Sequence, residues 1–403
     1  MPEWLRRHNQ VILMLIFLGA LSAFGPFVMD MYLPVLPSMT DWFGTSDSLV
    51  QLGLTTGLIG LAAGQLLFGP LSDRYGRRRP LIAAMVMFLF ATAGCIFAQD
   101  ISQFIVMRLF QGLAGSGGVV LSRSIATDKY NGTRLTSTMS LISAINGIAT
   151  VAAPIVGGVI ALFGGWKAIF WTLMIIGVVL LAGALRMREP MRPTMNDFNV
   201  NAARCNVNPF LRVMGNKQYV KYVLVYTFSL GVLFTNIASA PFIIQDHYGL
   251  SSMDFSIVFG FNAVMFAVAS VIIPKFSSCD KAIMFGTAGM VMASSIMIAA
   301  FIVGCGFWIY ELLMLILLFM VGVTSTAANV SAMDSGRDIA GASSALLGAV
   351  GYGFGGIVPL IVSLGNIFVM TSIMFLLCSV LTGLCIQIAE PSHSSPCRYE
   401  HSR

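Results

Sequence analysis

Apolar residues in this chain come in long, nearly unbroken runs, not in the one-face-in-three pattern of helices that keep a side in water. Between charges and turn residues the runs fall at 11–38, 47–70, 80–98, 102–126, 134–162 and 167–187. After a polar interval they resume at 219–245, 253–276, 282–303, 306–330, 338–364 and 368–389. Each is close to or above the about 20 residues with which a helix crosses the hydrocarbon layer, and too long for a barrel strand. Open sheets leave their edges unsatisfied in lipid, so helix is the conformation that fits. The pattern predicts an all-α polytopic membrane protein with twelve transmembrane helices. Arg6 and Arg7 ahead of the run Val11–Met29 resemble the start of a signal peptide, but the run is long and no small-x-small site follows it. It reads as a retained first span.

Composition narrows the alternatives. Of 403 residues, 57% are hydrophobic and 10% charged, against about a quarter charged in soluble domains. A water-solvated globule of this kind would expose large apolar patches, and a disordered chain could not leave so much apolar surface open. The seven cysteines show no C-x-x-C and no histidine at metal-ligand spacing, so no metal or disulfide framework is implied and they read as small buried hydrophobes.

The net charge of +6 is a matter of orientation and implies no nucleic-acid partner. With the N-terminus inside, the cytoplasmic segments collect Arg6, Arg7, Arg74, Arg77, Arg78, Arg79, Lys129, Arg134, the seven basic residues from Arg186 to Lys221, Lys275, Lys281, Arg337, Arg398 and Arg403. The external loops hold only Lys167. Shifting the count by one span destroys this positive-inside bias, so both termini are expected in the cytoplasm. The interval Arg188–Gln218 is the one long polar stretch. It divides the chain into an N-terminal six-helix bundle (1–188), a cytoplasmic linker (189–218) and a C-terminal bundle with a short tail (219–403), the layout of transporters built from parallel repeats with a substrate path between the halves.

Ionisable residues at membrane depth are costly and point to function. Asp30 lies roughly 30 Å along the first span and Arg108 roughly 9 Å into the fourth from the other side, at 1.5 Å per residue. Both levels fall in the external part of the membrane, which permits a pair. Pro34 has no N–H for the carbonyl of Asp30, and Pro26 sits one turn earlier, so the acid occupies an interrupted helix suited to bending and ligand access. Burial favours the neutral acid, whereas a close guanidinium favours the carboxylate. A proton carrier needs the first to prevail in at least one conformation; otherwise the two are a static ion pair that sets helix packing. Between the second and third spans, GPLSDRYGRRRP packs two glycines, an acid and a basic cluster into a short cytoplasmic turn. There Arg74, Arg77 and Arg78 are placed to bridge to acids on adjacent turns, Asp128 being the nearest, and Asp73 to sit at a helix N-terminus. Glu311, near the external end of the tenth span, reads as interfacial.

These motifs resemble a known family. GPLSDRYGRRRP matches the loop motif of the major facilitator superfamily, and RLFQGLAGSGG (Arg108–Gly118) resembles its fourth-helix motif. MDMYLPVLP (Met29–Pro37) is similar to the first-helix signature of the bicyclomycin-resistance group of drug:proton antiporters. AAPIVGG (Ala152–Gly158), followed by GWKAIFW, resembles the antiporter motif of the fifth helix, with Ala149 and Ala153 where that pattern has glycine. The likeness covers essentially the whole chain. It implies two pseudo-symmetric six-helix bundles, with Asp30 as protonation and coupling site and Arg108 responding to it. It further implies a cytoplasmic gate of Gly69, Asp73, Arg74, Gly76, Arg77, Arg78 and Asp128, and an antiporter helix marked by Pro154, Gly157 and Gly158. Tyr32, Gln111, Asn146, Asn236, Phe242, Asn262 and Asn329 would face the substrate cavity, although each asparagine would serve equally as an interhelix hydrogen bond.

The expected function is export of amphipathic compounds across a bacterial inner membrane, with inward proton movement as the energy source and no cofactor. The partners expected are small-molecule substrates, protons and the bilayer, and nothing demands more than a monomer. The alternative is a proton-coupled carrier of a small metabolite (a sugar, amino acid or peptide), which should carry further intramembrane charges in the second half. An enzyme would need paired catalytic groups, and His8, His247, His393 and His401 all fall in loops or tails. One intramembrane acid suggests one proton per cycle, to which an external-end group such as Glu311 would add another. With one proton, exchange with a monovalent cation moves no net charge, which favours neutral or zwitterionic substrates over dications.

Overall fold

The computed structural model describes residues 3–130, 132–187, 209–336 and 340–387, and among them every regular element is helical. Helix α1 (Glu3–Asp30) stops at its acid. The chain turns through Met31 and Tyr32, tightens into a 3-10 turn at Leu33–Val35 and resumes as α2 (Leu36–Phe43). The missing N–H of Pro34 accounts for the stop. The run expected as one span at 11–38 is thus a helix broken immediately after Asp30.

Helices α3 (Asp47–Tyr75) and α4 (Arg78–Ile96) are separated only by Gly76 and Arg77. Gly76 has φ +85°, a left-handed conformation that a side chain would strain, and this lets the chain reverse in so few residues. The stretch from Gly69 to Tyr75, expected in the turn, is instead the end of α3. Helix α5 (Ile101–Lys129) starts at Asp100, whose carboxylate accepts the Gln103 N–H at 2.9 Å. Helix α6 (Gly132–Arg186) loses helical dihedrals at Gly164 and Gly165, between the runs expected at 134–162 and 167–187.

The second half comprises α7 (Pro209–Met214), α8 (Lys217–Phe242) with a π turn at Ile243–His247, α9 (Ser252–Ile272), α10 (Cys279–Val303), α11 (Phe307–Ser335), α12 (Ala340–Val362) and α13 (Ile367–Gln387). Ser251 and Asp254 form a reciprocal capping box at the start of α9, and Ser278 caps α10. Short α7 lies within the interval expected as linker; residues 188–208 of that interval fall outside the described residues. Among the described residues, eleven helical segments are long and apolar enough to cross a membrane. The one from Ile148 to Arg186 contains the Gly164–Gly165 break and accounts for two crossings, giving the expected twelve. Cys279 is disulfide-bonded, whereas Cys95, Cys305, Cys378 and Cys385 are free. The reading of all seven as unpaired hydrophobes therefore fails at Cys279.

Side chains are sorted as lipid demands. Phe90, Ile175, Val271 and Ile302 are exposed on the helix flanks, while Arg108, Gln111, Asn236 and Asn262 are buried. The chain forms two compact units, Met1–Val35 with Thr56–Asn206, and Leu36–Thr55 with Val207–Arg403. In the first, α1 packs on α5 and α6, and α4 on the same two helices. In the second, α8 packs on α11, α12 and α13, and α11 also on α9 and α10. Tyr222 Oη donates to Asp280 (2.9 Å) and Asn216 Nδ2 to the Ser335 carbonyl (2.8 Å), joining the start of α8 to the start of α10 and the end of α11.

Candidate functional site

The chemistry of the first unit centres on Arg108, which is fully buried on α5. Its Nη1 donates to the carbonyl of Val28 on α1 (3.1 Å) and to Gln111 Oε1 (2.5 Å), one turn further along α5. Gln111 Nε2 in turn donates to Thr92 Oγ1 on α4 (2.9 Å). Nη2 approaches Met29 Sδ at 3.8 Å, and the guanidinium carbon stands 4.2 Å from the centre of the Tyr32 ring, a cation–π geometry. The cation is therefore held by a carbonyl, an amide, a thioether and a ring, all neutral.

Asp30 is also buried and lies within range of the Arg108 charge, yet it makes no ion pair with it. The guanidinium grips α1 through the carbonyl two residues before the acid. Removing charges from water is costly unless they are paired, and here the acid and the cation share one site without a direct bond. No salt bridge therefore holds the Asp30 carboxyl.

The antiporter-motif stretch of α6 closes this site from the side. Ala153, Pro154, Gly157 and Gly158 are buried. A Cβ on Gly157 would collide with the carbonyl oxygen of Met31, so only glycine lets α6 approach the turn after Asp30 so closely. Beside the arginine, Phe104, Trp166 and Phe170 pack edge-to-face and Tyr32 packs tilted on Phe170, with ring centroids 5.5–6.0 Å apart. Thr92, Met29 and the rings of Phe104, Trp166 and Phe170 were missed from the sequence, whereas Tyr32 was named. The signals present were a hydroxyl inside a span and the aromatics Trp166 and Phe170 of GWKAIFW.

At the α3–α4 turn, Arg77 makes a bidentate pair with Asp128 near the end of α5, Nε to Oδ2 at 2.6 Å and Nη2 to Oδ1 at 3.2 Å. Its Nη1 donates to Ser72 Oγ (2.6 Å), which donates to the Gly69 carbonyl (2.8 Å). Arg78 donates to the Leu185 carbonyl at the end of α6 (2.6 Å), and Arg74 is exposed beside the Tyr75 ring. The basic cluster thus ties the start of α4 to the ends of α5 and α6. Asp73 is in α3, but its side chain lies outside the described residues.

Asn146 Nδ2 donates to the Ser22 carbonyl (2.9 Å), an α6–α1 hydrogen bond. In the second unit, Asn236 and Phe242 are buried on α8, Asn262 is buried on α9, and Asn329 is half-buried on α11. Glu311, near the start of α11 as expected, is 7% exposed and so buried against protein. A span count fixes depth along a helix but not the side it faces, and this side of α11 is covered by its packing partners.

The comparisons agree with this architecture. The Major Facilitator Superfamily profile matches residues 15–360, and the chain belongs to that superfamily of membrane transporters. It is 33% identical over 355 residues to the Bacillus subtilis protein named Uncharacterized MFS-type transporter YdgK, covering 87% of this chain and 88% of the relative. It is 27% identical over 393 residues to the Bicyclomycin resistance protein homolog of Haemophilus influenzae, covering 96% of each. Multidrug resistance protein MdtL of Shigella dysenteriae is 26% identical over 284 residues, covering 68% of this chain and 71% of MdtL. Among solved structures, a bacterial homologue of the human lysosomal transporter Spinster superposes with TM-score 0.73 at 16% identity, covering 94% of this chain and 97% of that one. A D-xylose-proton symporter gives TM-score 0.71 at 16% identity, covering 92% and 97%. The protein is a multi-pass membrane transporter of small molecules, not an enzyme.

Proposed function

We propose that the protein is a drug:proton antiporter of a bacterial inner membrane, exporting amphipathic antibiotics, bicyclomycin-like or other hydrophobic compounds, by alternating access, as a monomer with both termini cytoplasmic. The observation that carries the reading is Asp30, a buried acid at a broken helix, beside a buried arginine but not bonded to it. Such an acid can bind a proton in one conformation and release it in another, and drug and proton can hold opposite preferences for the two. Support comes from the names of the bicyclomycin-resistance and multidrug-resistance relatives, and from Gly157, which brings the antiporter-motif helix against the Asp30 turn. In this scheme Asp30 takes a proton from outside as drug leaves, and loses it inside before the next drug binds. The proton gradient supplies the energy.

The test compares wild type with Asp30→Asn in vesicles holding a lumenal pH dye, challenged with neutral, singly charged and doubly charged hydrophobic drugs. Drug-evoked proton movement in wild type and none in the variant is expected. Equal movement in both would place coupling elsewhere, and no response to any drug would favour the metabolite carrier.

A further inference from the structure

The second unit holds a buried acid that this scheme leaves unused. Glu311 and Asn262 are 7% and 3% exposed, on neighbouring helices α11 and α9. Neither carboxylate oxygen of Glu311, nor Asn262 Oδ1, has a partner at full hydrogen-bond geometry, and the Asn262 side chain is the polar group that interacts with the acid at longer range. Three acceptor oxygens thus lie in the protein interior without a well-formed hydrogen bond, an expensive arrangement for an ionised carboxylate.

Among the described residues, no lysine or arginine stands at this end of the unit. On α11 itself the adjacent group is Tyr310, with Tyr248 and Cys305 beyond it. At the same end of the unit stand Asp246 and His247 in the π turn and Asp254 in the first turn of α9; the His247 ring packs on Tyr248 and Phe368. The lysines and acids of the other packing helices are remote. Lys217 and Lys221 start α8, Asp280 and Lys281 start α10, and Asp334 ends α11, all at the opposite end, as the Asn216–Ser335 and Tyr222–Asp280 bonds establish. Among the described residues, no ion pair involves Glu311.

A proton is the one ligand that needs no cavity, and it converts an acceptor-only carboxylate into a donor. We infer that Glu311, with Asn262, is a second proton-binding site of the transport cycle, so that the chain carries one exchangeable proton in each of its two units. This deepens the antiport reading and rests on it for its consequence. A buried acid in the second half is also what the metabolite carrier predicts, and the drug panel above separates the two; the site itself needs no drug.

The test therefore omits the drug. Purified full-length protein in weakly buffered detergent is jumped from mildly acid to mildly alkaline pH, and protons released per protein are counted with an indicator dye. Against wild type, Asp30→Asn should release one fewer, Glu311→Gln one fewer and the double variant two fewer. Groups at the surface contribute equally to all four and cancel. Release from Glu311→Gln equal to wild type would overturn the site, while a loss confined to Asp30→Asn would leave antiport standing without it. Should Glu311→Gln aggregate on size exclusion, Glu311→Asp keeps a carboxyl and should release the full wild-type number; a deficit there would count against the site. Asn262→Leu should move the pH at which the second proton leaves without changing the count, and an unmoved release would overturn the role of Asn262.

Discussion

Arg108→Lys keeps the charge at the centre of the first unit and removes the planar fork. In the structure, Nη1 alone serves two acceptors on different helices, and the guanidinium face covers Tyr32 at 4.2 Å. A lysine ammonium is a compact point charge on a narrower stem and cannot reach the Val28 carbonyl, Gln111 and the ring together. The loss is one charge-assisted hydrogen bond, about 1.5–3 kcal/mol, plus a desolvated cation–π contact of about 2 kcal/mol. A total of about 3–5 kcal/mol is a large part of the roughly 5–15 kcal/mol that stabilises a folded domain. At about 1.4 kcal/mol per decade it depletes this arrangement by a hundredfold or more relative to its competitors. The assay is thermal unfolding in detergent alongside drug-evoked proton flux, and both should fall. Gln111→Leu removes one of the same bonds, so the double variant should lose less than the sum of the singles. An Arg108→Lys protein with wild-type melting and flux would refute the reasoning: charge alone would then suffice, and the contacts to Val28 and Tyr32 would be incidental.

Two further perturbations probe the neighbouring parts. Gly157→Val drives side-chain atoms into the Met31 carbonyl; overpacking costs about 1–3 kcal/mol, and drug-evoked proton flux should fall at least tenfold, with Gly157→Ala between the two. Wild-type flux in Gly157→Val would mean that α6 need not press on the Asp30 turn. Reversing either charge of the Arg77–Asp128 pair, whose side chains are 16% and 19% exposed, should destabilise the protein by about 1–2 kcal/mol, more than an open surface pair is worth. Arg77→Asp with Asp128→Arg should recover at least half of the lost melting temperature, and no recovery would assign the role of Arg77 to its Ser72 bond.

The number of spans was legible because lipid enforces it: a helix must be long and apolar to cross, and the charges must gather on one side. The stop at Asp30 was legible too, since the missing N–H of Pro34 is a local fact of the covalent chain. What the pattern did not carry was the azimuth of each residue about its helix. For that reason the depth of Glu311 does not reveal its burial, and Arg108 matches Asp30 in depth but bonds Val28 and Gln111. The end of α3 was also misplaced. Charges and glycines in GPLSDRY resemble a turn, yet they continue the helix because Gly76, the next residue, alone supplies the reversal.

The second acid changes the energetics that one acid implies. With Asp30 alone, one proton entering against one monovalent cation leaving moves no net charge, and the membrane potential contributes nothing. With Glu311 as a second carrier, two protons enter against that cation and one charge moves inward per cycle. The potential then contributes about 2.3 kcal/mol per 100 mV, roughly a fiftyfold gradient of drug at about 1.4 kcal/mol per decade. A dication, disfavoured with one proton, becomes an electroneutral exchange driven by the pH gradient, and a neutral drug gains from both protons. Vesicles carrying a potential but no pH gradient separate the two cases. Wild type should concentrate a monovalent hydrophobic cation such as ethidium, and Glu311→Gln, left with one proton per cycle, should not. Wild-type transport of that cation indifferent to the potential would return the stoichiometry to one proton and Glu311 to helix packing.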